Sequence, residues 1–216
     1  MQPISFRTED GLSLEGEIRE PDGEARGSAV ICHPHPLGGG SKDHPILWAI
    51  RNELARRGFA VLSFNFRGVM GSEGSFGGGD AEVQDVRAAV DRVRETAAGP
   101  TFVAAWSFGG MVALREALSD DRVAALALAG FPVSEETDVP RPDIPSRAEL
   151  SSLRRPVLFV VGEADQFSPL PELRRLAARL PGAELVVIPD TDHFFWRRER
   201  ELAERIGGFA EGTLLP

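Results

Sequence analysis

The strongest constraint in this chain is a rhythm. Six short runs, apolar almost from end to end, alternate with amphipathic segments: "GSAVICHP", "FAVLSFNF", "TFVAAWS", "VAALALAGF", "RPVLFVVGEAD" and "AELVVIPDTDH". A strand that is apolar on every residue has both faces covered, and the cover is the helix that follows it. The pattern therefore predicts a mostly parallel sheet with helices on both faces. The helical segments are "HPILWAIRNELARRG", closed by Gly58, then "DAEVQDVRAAVDRVRETA" with Asp80 as N-cap, "FGGMVALREALSD", "SPLPELRRLAARLPG" and "FWRRERELAERIGGFAE". Ahead of them, "ISFRTEDGLSLEGEIREP" alternates polar and apolar residues around Asp10-Gly11, which signals an antiparallel hairpin.

With 216 residues and no linker, the chain is expected to form one domain, 1–216. Two stretches are irregular: the glycine-rich 67–79 and the proline-rich 132–149, with room for one short helix at most. A formal charge of −9 argues against nucleic acid or an anionic membrane as partner. The lone cysteine, Cys32, lies inside an apolar run and calls for no oxidising compartment. With no signal-peptide pattern and no apolar span near 20 residues, a cytoplasmic location is expected. Glu82 and Asp85 read as surface charges, and Arg51, Arg56 and Arg57 as the solvated face of a helix.

Ser107 stands between the strand-like "TFVAAW" and the helix that begins near Phe108. A side chain there projects from the carboxyl end of the sheet, where open α/β folds keep their sites. The pattern A-W-S-F-G departs from the G-x-S-x-G elbow only by the methyl of Ala105. A serine hydroxyl needs a base to become a nucleophile. His193, in the loop after the last strand, follows Ser107, whereas His33, His35 and His44 precede it. The base needs an acid to orient it. Asp165 in "GEADQFSP" occupies a third loop at the same edge, with Asp190, Asp192 and Glu163 as rivals. The order serine, acid, histidine is that of strand-turn-helix hydrolases.

The stretches "ICHPHPLGGG", "FNFRGVMGSEGSFGGG", "AAWSFGG", "VVGEADQFSP" and "DTDH" resemble those of the α/β-hydrolase superfamily. Within it the chain is most similar to small, cap-less bacterial serine hydrolases with an HPHP motif, which are dienelactone-hydrolase-like. The resemblance implies an α/β-hydrolase fold with a mostly parallel sheet of about eight strands, an N-terminal antiparallel hairpin and no cap domain. It implies Ser107 as nucleophile, His193 as base and then acid, and Asp165 as orienting acid. It also implies an oxyanion hole from the backbone N–H groups of Phe108 and Leu37, with His35 as the fallback for Leu37. Trp106, Phe131, Phe167 and Phe194 are expected to line a substrate pocket, and Phe108 and Phe195 are further apolar candidates.

The implied activity is hydrolysis of small or short-chain carboxylic esters through an acyl-enzyme. Thioesterase, lactonase, peptidase and acyltransferase chemistry share the same triad, and a catalytically silent binding protein shares the fold. A small-molecule ester is the expected partner, and no cofactor is expected. A metal site from His33, His35, Asp43 and His44 is the weaker reading of "HPHP…DH".

Overall fold

A computed structural model describes residues 1–134 and 139–215; residues 135–138 of the proline-rich stretch and residue 216 lie outside the described residues. The hairpin is β1 (Gln2–Arg7) and β2 (Ser13–Arg19), followed by β3 (Gly27–Cys32), α1 (Pro45–Arg56) and β4 (Phe59–Phe64). Then come α2 (Glu82–Arg94), β5 (Thr101–Trp106), α3 (Phe108–Ser119) and β6 (Val123–Ala129). The chain continues through α4 (Arg147–Ser152), β7 (Val157–Gly162), α5 (Leu170–Ala177), β8 (Ala183–Ile188) and α6 (Glu199–Leu214). Between β6 and β7 the described residues carry only the six-residue α4, so the fold is an α/β-hydrolase fold without a lid.

The strands form one sheet in the order β1-β2-β4-β3-β5-β6-β7-β8. β1 and β2 are antiparallel, β2 runs antiparallel to β4, and every later pairing is parallel. β3, β4, β5 and β7 are buried at every residue, which is why they read as nearly continuous apolar runs. On one face α2, α3 and α5 contribute Val86, Val90, Met111, Val112, Leu173 and Leu176 to the core. On the other, α1 and α6 contribute Ile46, Ile50, Leu54, Leu202 and Ile206. The connections from β3 lead first to β4 on one side, and those from β4 then return to β5 on the other side of β3. That reversal opens a crevice at the carboxyl ends of β3 and β5. Among the described residues no helix is long and apolar enough to cross a membrane.

Several charges sit elsewhere than expected. Asp85 and Glu82 are fully buried, not on the surface. Asp85 accepts from the Arg67 backbone N–H at 2.9 Å and from its Nε and Nη2 at 2.9 and 2.7 Å. Burial pushes the Asp85 carboxyl above its ordinary value against the pull of Arg67. Removing either partner of such a pair costs about 3–5 kcal/mol, because the other charge is left buried alone. Arg67 also holds Asp10 of the hairpin turn at 2.9 Å. The Glu82 carboxylate accepts the N–H groups of Gly77 and Gly79 at 2.8 and 2.7 Å. These bonds fold the glycine-rich stretch against the first turn of α2. Asp80 is not the N-cap: that position is Ala81, in helical conformation, and Asp80 pairs with Arg115 at 3.0 Å. Arg51 likewise is buried and paired with Glu17 at 3.2 Å, while Arg56 is exposed as read.

Candidate active site

β5 ends at Trp106 and α3 starts at Phe108, so Ser107 alone makes the turn, with φ 57° and ψ −126°. A non-glycine residue in that region costs about 1–3 kcal/mol and persists only where its neighbours over-determine it. Here they do. The Ser107 N–H donates to Ala129 O at 2.9 Å, and the Gly110 N–H donates to Ser107 O at 2.8 Å. Gly109 packs so tightly behind the turn that a Cβ would lie 2.5 Å from His33 O and 2.7 Å from Cys32 O. Ala105, in place of the elbow's first glycine, is fully buried in the core cluster with Cys32 and Leu128, its register partners on β3 and β6.

His193 and Asp165 meet Ser107 from two other loops. Ser107 Oγ lies 2.9 Å from His193 Nε2, and His193 Nδ1 lies 3.1 and 3.0 Å from the two Asp165 carboxylate oxygens. A carboxylate only accepts, so Nδ1 carries the ring proton and Nε2 is free to accept from the serine hydroxyl. Asp165 Oδ1 accepts two further bonds, from the Phe167 and Ser168 N–H groups at 2.9 and 3.0 Å. The His193 carbonyl accepts from Trp106 Nε1 at 3.1 Å. Both His193 and Asp165 are buried, whereas Ser107 is half-buried. The rival acids do other things. Asp192 accepts from Phe194 N–H at 2.9 Å, Asp190 approaches Arg198 at 3.9 Å, and Glu163 accepts from Asp190 N–H at 3.4 Å.

One residue at the centre went unread in the sequence. Gly130 has φ +52°, and a Cβ there would sit 3.0 Å from His193 Nδ1 and Cε1 and 3.3 Å from Asp165 Oδ2. Its signal is a glycine closing an apolar strand at the edge where the other loops converge, as Gly162 closes "PVLFVVG".

The loop after β3 corrects one expectation. The Leu37 N–H is already engaged: it donates to His35 Nδ1 at 3.1 Å, and Leu37 is 67% exposed. The cause is local. Pro36 starts a short 3₁₀ turn (Pro36–Gly38), and the His35 ring caps it. Gly38 and Gly40 N–H groups both donate to His35 O at 3.0 Å, and Gly39 N–H donates to Pro36 O at 3.1 Å. The His35 N–H is the one left without an acceptor in 35–40 among the described residues. The N–H groups of Phe108 and Gly109, in the first turn of α3, are also without acceptors among the described residues, as helix starts leave them.

The "HPHP…DH" histidines are engaged as scaffolding. His33 Nε2 accepts from Phe66 N–H at 3.0 Å, and Nδ1 donates to Pro34 O at 2.7 Å. Burial holds His33 neutral, with its pKa down at about 4. His44 caps α1 by accepting from Ile46 N–H at 3.3 Å, and its ring lies 4.4 Å from Trp106. Asp43 pairs with Lys42 at 3.0 Å.

A pocket of about 290 Å³ opens over Ser107 and His193. Trp106, Phe108, Phe167 and Phe194 line it. Phe131 does not: it is fully buried and packs edge-on against Phe159 at 5.6 Å, because β6 has already turned it into the core. Phe195 is also core. His44 of the "HPHP…DH" stretch adds to the walls, as do Met111, Val139 and Arg141, which no motif marks in the sequence.

A family model described as an alpha/beta hydrolase domain matches residues 28–208. An alpha-beta serine hydrolase homologue from Coxiella burnetii is 27% identical, covers 97% of this chain and 98% of its own, and superposes with a TM-score of 0.82. A lidless a/b serine hydrolase from Xanthomonas campestris is also 27% identical, over 99% and 95% of the two chains, with a TM-score of 0.80. An esterase from Pyrococcus furiosus shares the fold at 19% identity, with a TM-score of 0.82 over 98% and 92%.

Proposed function

This chain belongs to the alpha/beta hydrolase domain family, and we propose that it is a serine hydrolase of carboxylic esters with small or short acyl groups. The observation that carries the reading is the bonded chain Ser107–His193–Asp165, with its serine at the mouth of an apolar pocket. Ser107 Oγ attacks the acyl carbon while His193 Nε2 takes its proton. Asp165 holds the imidazole in the Nδ1–H tautomer and stabilises the imidazolium. The tetrahedral oxyanion is received by the N–H groups of Phe108 and His35, each worth about 2.7–4 kcal/mol of barrier. The alcohol leaves with the proton from His193, and water repeats the sequence to release the acid. Similarity to a named serine hydrolase and to an esterase supports the ester reading, as does a pocket of only about 290 Å³ for the chain length.

Replacing Ser107 with Ala tests it. Turnover of p-nitrophenyl butyrate should fall by about 10⁴-fold or more, with the melting temperature kept, and a fluorophosphonate probe should label the wild type but not the variant. A variant that keeps most of its activity, or a wild type that takes up no probe, overturns the reading. A panel of esters, thioesters and lactones ranks the acyl substrates.

A further inference from the structure

We propose that the His35 imidazole is a positioning residue that ties the oxyanion-donor loop to the facing wall of the pocket, its two ring nitrogens doing separate jobs. The proposal rests on the ester-hydrolase reading of the site. His35 lies between Pro34 and Pro36, with φ −54° and ψ 123°, and a residue before proline is confined to extended backbone. Its Nδ1 accepts the Leu37 N–H at 3.1 Å, and its carbonyl accepts those of Gly38 and Gly40 at 3.0 Å. One residue therefore takes up three of the four N–H groups after Pro36 and leaves its own N–H as the donor.

A ring nitrogen that accepts from a backbone N–H carries no proton, so the proton is on Nε2. There it meets a group that can only accept, the Pro140 carbonyl at 2.7 Å. Pro140 lies between Val139 and Arg141, which both line the pocket. The ring is held from two sides, its centroid 4.9 Å from Phe76 of the glycine-rich stretch and 4.7 Å from Phe108 of α3. The Nδ1 bond thus sets the peptide that stabilises the oxyanion, a matter of kcat. The Nε2 bond sets the wall that meets the substrate, a matter of KM.

Two substitutions separate the jobs. Asn places its Oδ1 where Nδ1 was but cannot reach Pro140. Gln places an amide N–H where Nε2–H was but has no acceptor at the Nδ1 position. His35→Asn should keep kcat within about threefold and raise KM about tenfold, and His35→Gln should lower kcat about tenfold or more and leave KM nearly unchanged. His35→Ala should show both losses. The proposal is overturned if His35→Ala matches the wild type, or if Asn and Gln variants that still melt cooperatively lose kcat and KM alike. Long-range ¹H–¹⁵N NMR of the ligand-free wild type gives a readout independent of turnover: His35 should be the Nε2–H tautomer, and an Nδ1–H tautomer overturns the tether. A wild type with the expected tautomer but no hydrolysis would instead overturn the ester-hydrolase reading.

Discussion

The floor and the far wall of the pocket are built by different means. The floor is made of turns at the ends of β5, β6, β7 and β8, and main-chain bonds set its geometry. Ala129 O holds Ser107, two N–H groups hold Asp165, and Gly130 leaves just enough room for His193. The wall, formed by the loop after β3 and by residues 139–141, is held by side chains. His33 holds Phe66 N–H, His35 holds Leu37 and Pro140, and the Arg141 guanidinium donates to the Pro132 and Ser134 carbonyls. A floor fixed by the sheet cannot shift without disturbing the sheet. A wall fixed by ring nitrogens can be retuned by single substitutions and by protons. Proton transfer is thus expected to depend on the first region, and oxyanion stabilisation, substrate fit and acid tolerance on the second.

The sharpest way to break this contrast is Asp165→Asn. The amide would still accept from the Phe167 and Ser168 N–H groups with one oxygen, so the loop should keep its shape. Its NH₂ would face His193 Nδ1 and force the proton onto Nε2, where it blocks acceptance from Ser107. We expect kcat to fall by about 10⁴ with little change in melting temperature. Retention of a tenth of the activity would show that the floor does not work as described.

Acid should find the wall next. His33 is fully buried, and burial lowers its pKa from 6.5 to about 4. The unfolded chain therefore binds that proton first as pH falls. The stability this neutral histidine contributes is present above about 6.5 and is lost between there and about 4, some 3 kcal/mol in all. Urea unfolding of His33→Gln across this window should show a pH slope shallower than the wild type's by up to about 1.4 kcal/mol per pH unit. Parallel slopes would mean that the proton goes elsewhere.

The smallest effect sharpens the account of the floor. Gly130→Ala combines a left-handed backbone with a methyl 3.0 Å from the imidazole. The strain costs about 1–3 kcal/mol, and displacement of the ring should lower kcat about tenfold while KM stays near its wild-type value. A change in KM alone would assign Gly130 to substrate binding.

The contrast also explains what could be read from the residues alone. The alternation of strands and helices is visible because buried parallel strands keep few polar positions to disguise them. Ser107, Asp165 and His193 could be singled out because each follows such a strand at the same edge, in one chemically meaningful order. Other features hid because a carboxylate or a backbone N–H does not name its partner, near or far along the chain, until the loops around it are placed. Nothing in "DAEVQDV" says that Glu82 will meet glycine N–H groups or that Asp85 will meet Arg67. Charged residues on an amphipathic segment look solvated until the loop that buries them is placed. Leu37 failed as a donor for a similar reason, since a ring nitrogen two residues earlier in the chain captures its N–H. Phe131, one residue past Gly130, turns inward where a strand-end aromatic could equally have turned out.

The bond from the Trp106 indole to the His193 carbonyl gives the molecule its own optical reporter. Of the three tryptophans, Trp48 and Trp196 are 56% and 63% exposed and are expected to emit as water-facing indoles. Trp106 is 2% exposed, with its ring 5.9 Å from the His193 imidazole, which the proposed mechanism protonates and deprotonates. The blue edge of the emission spectrum is therefore expected to report on the surroundings of His193, and the red edge on the outside.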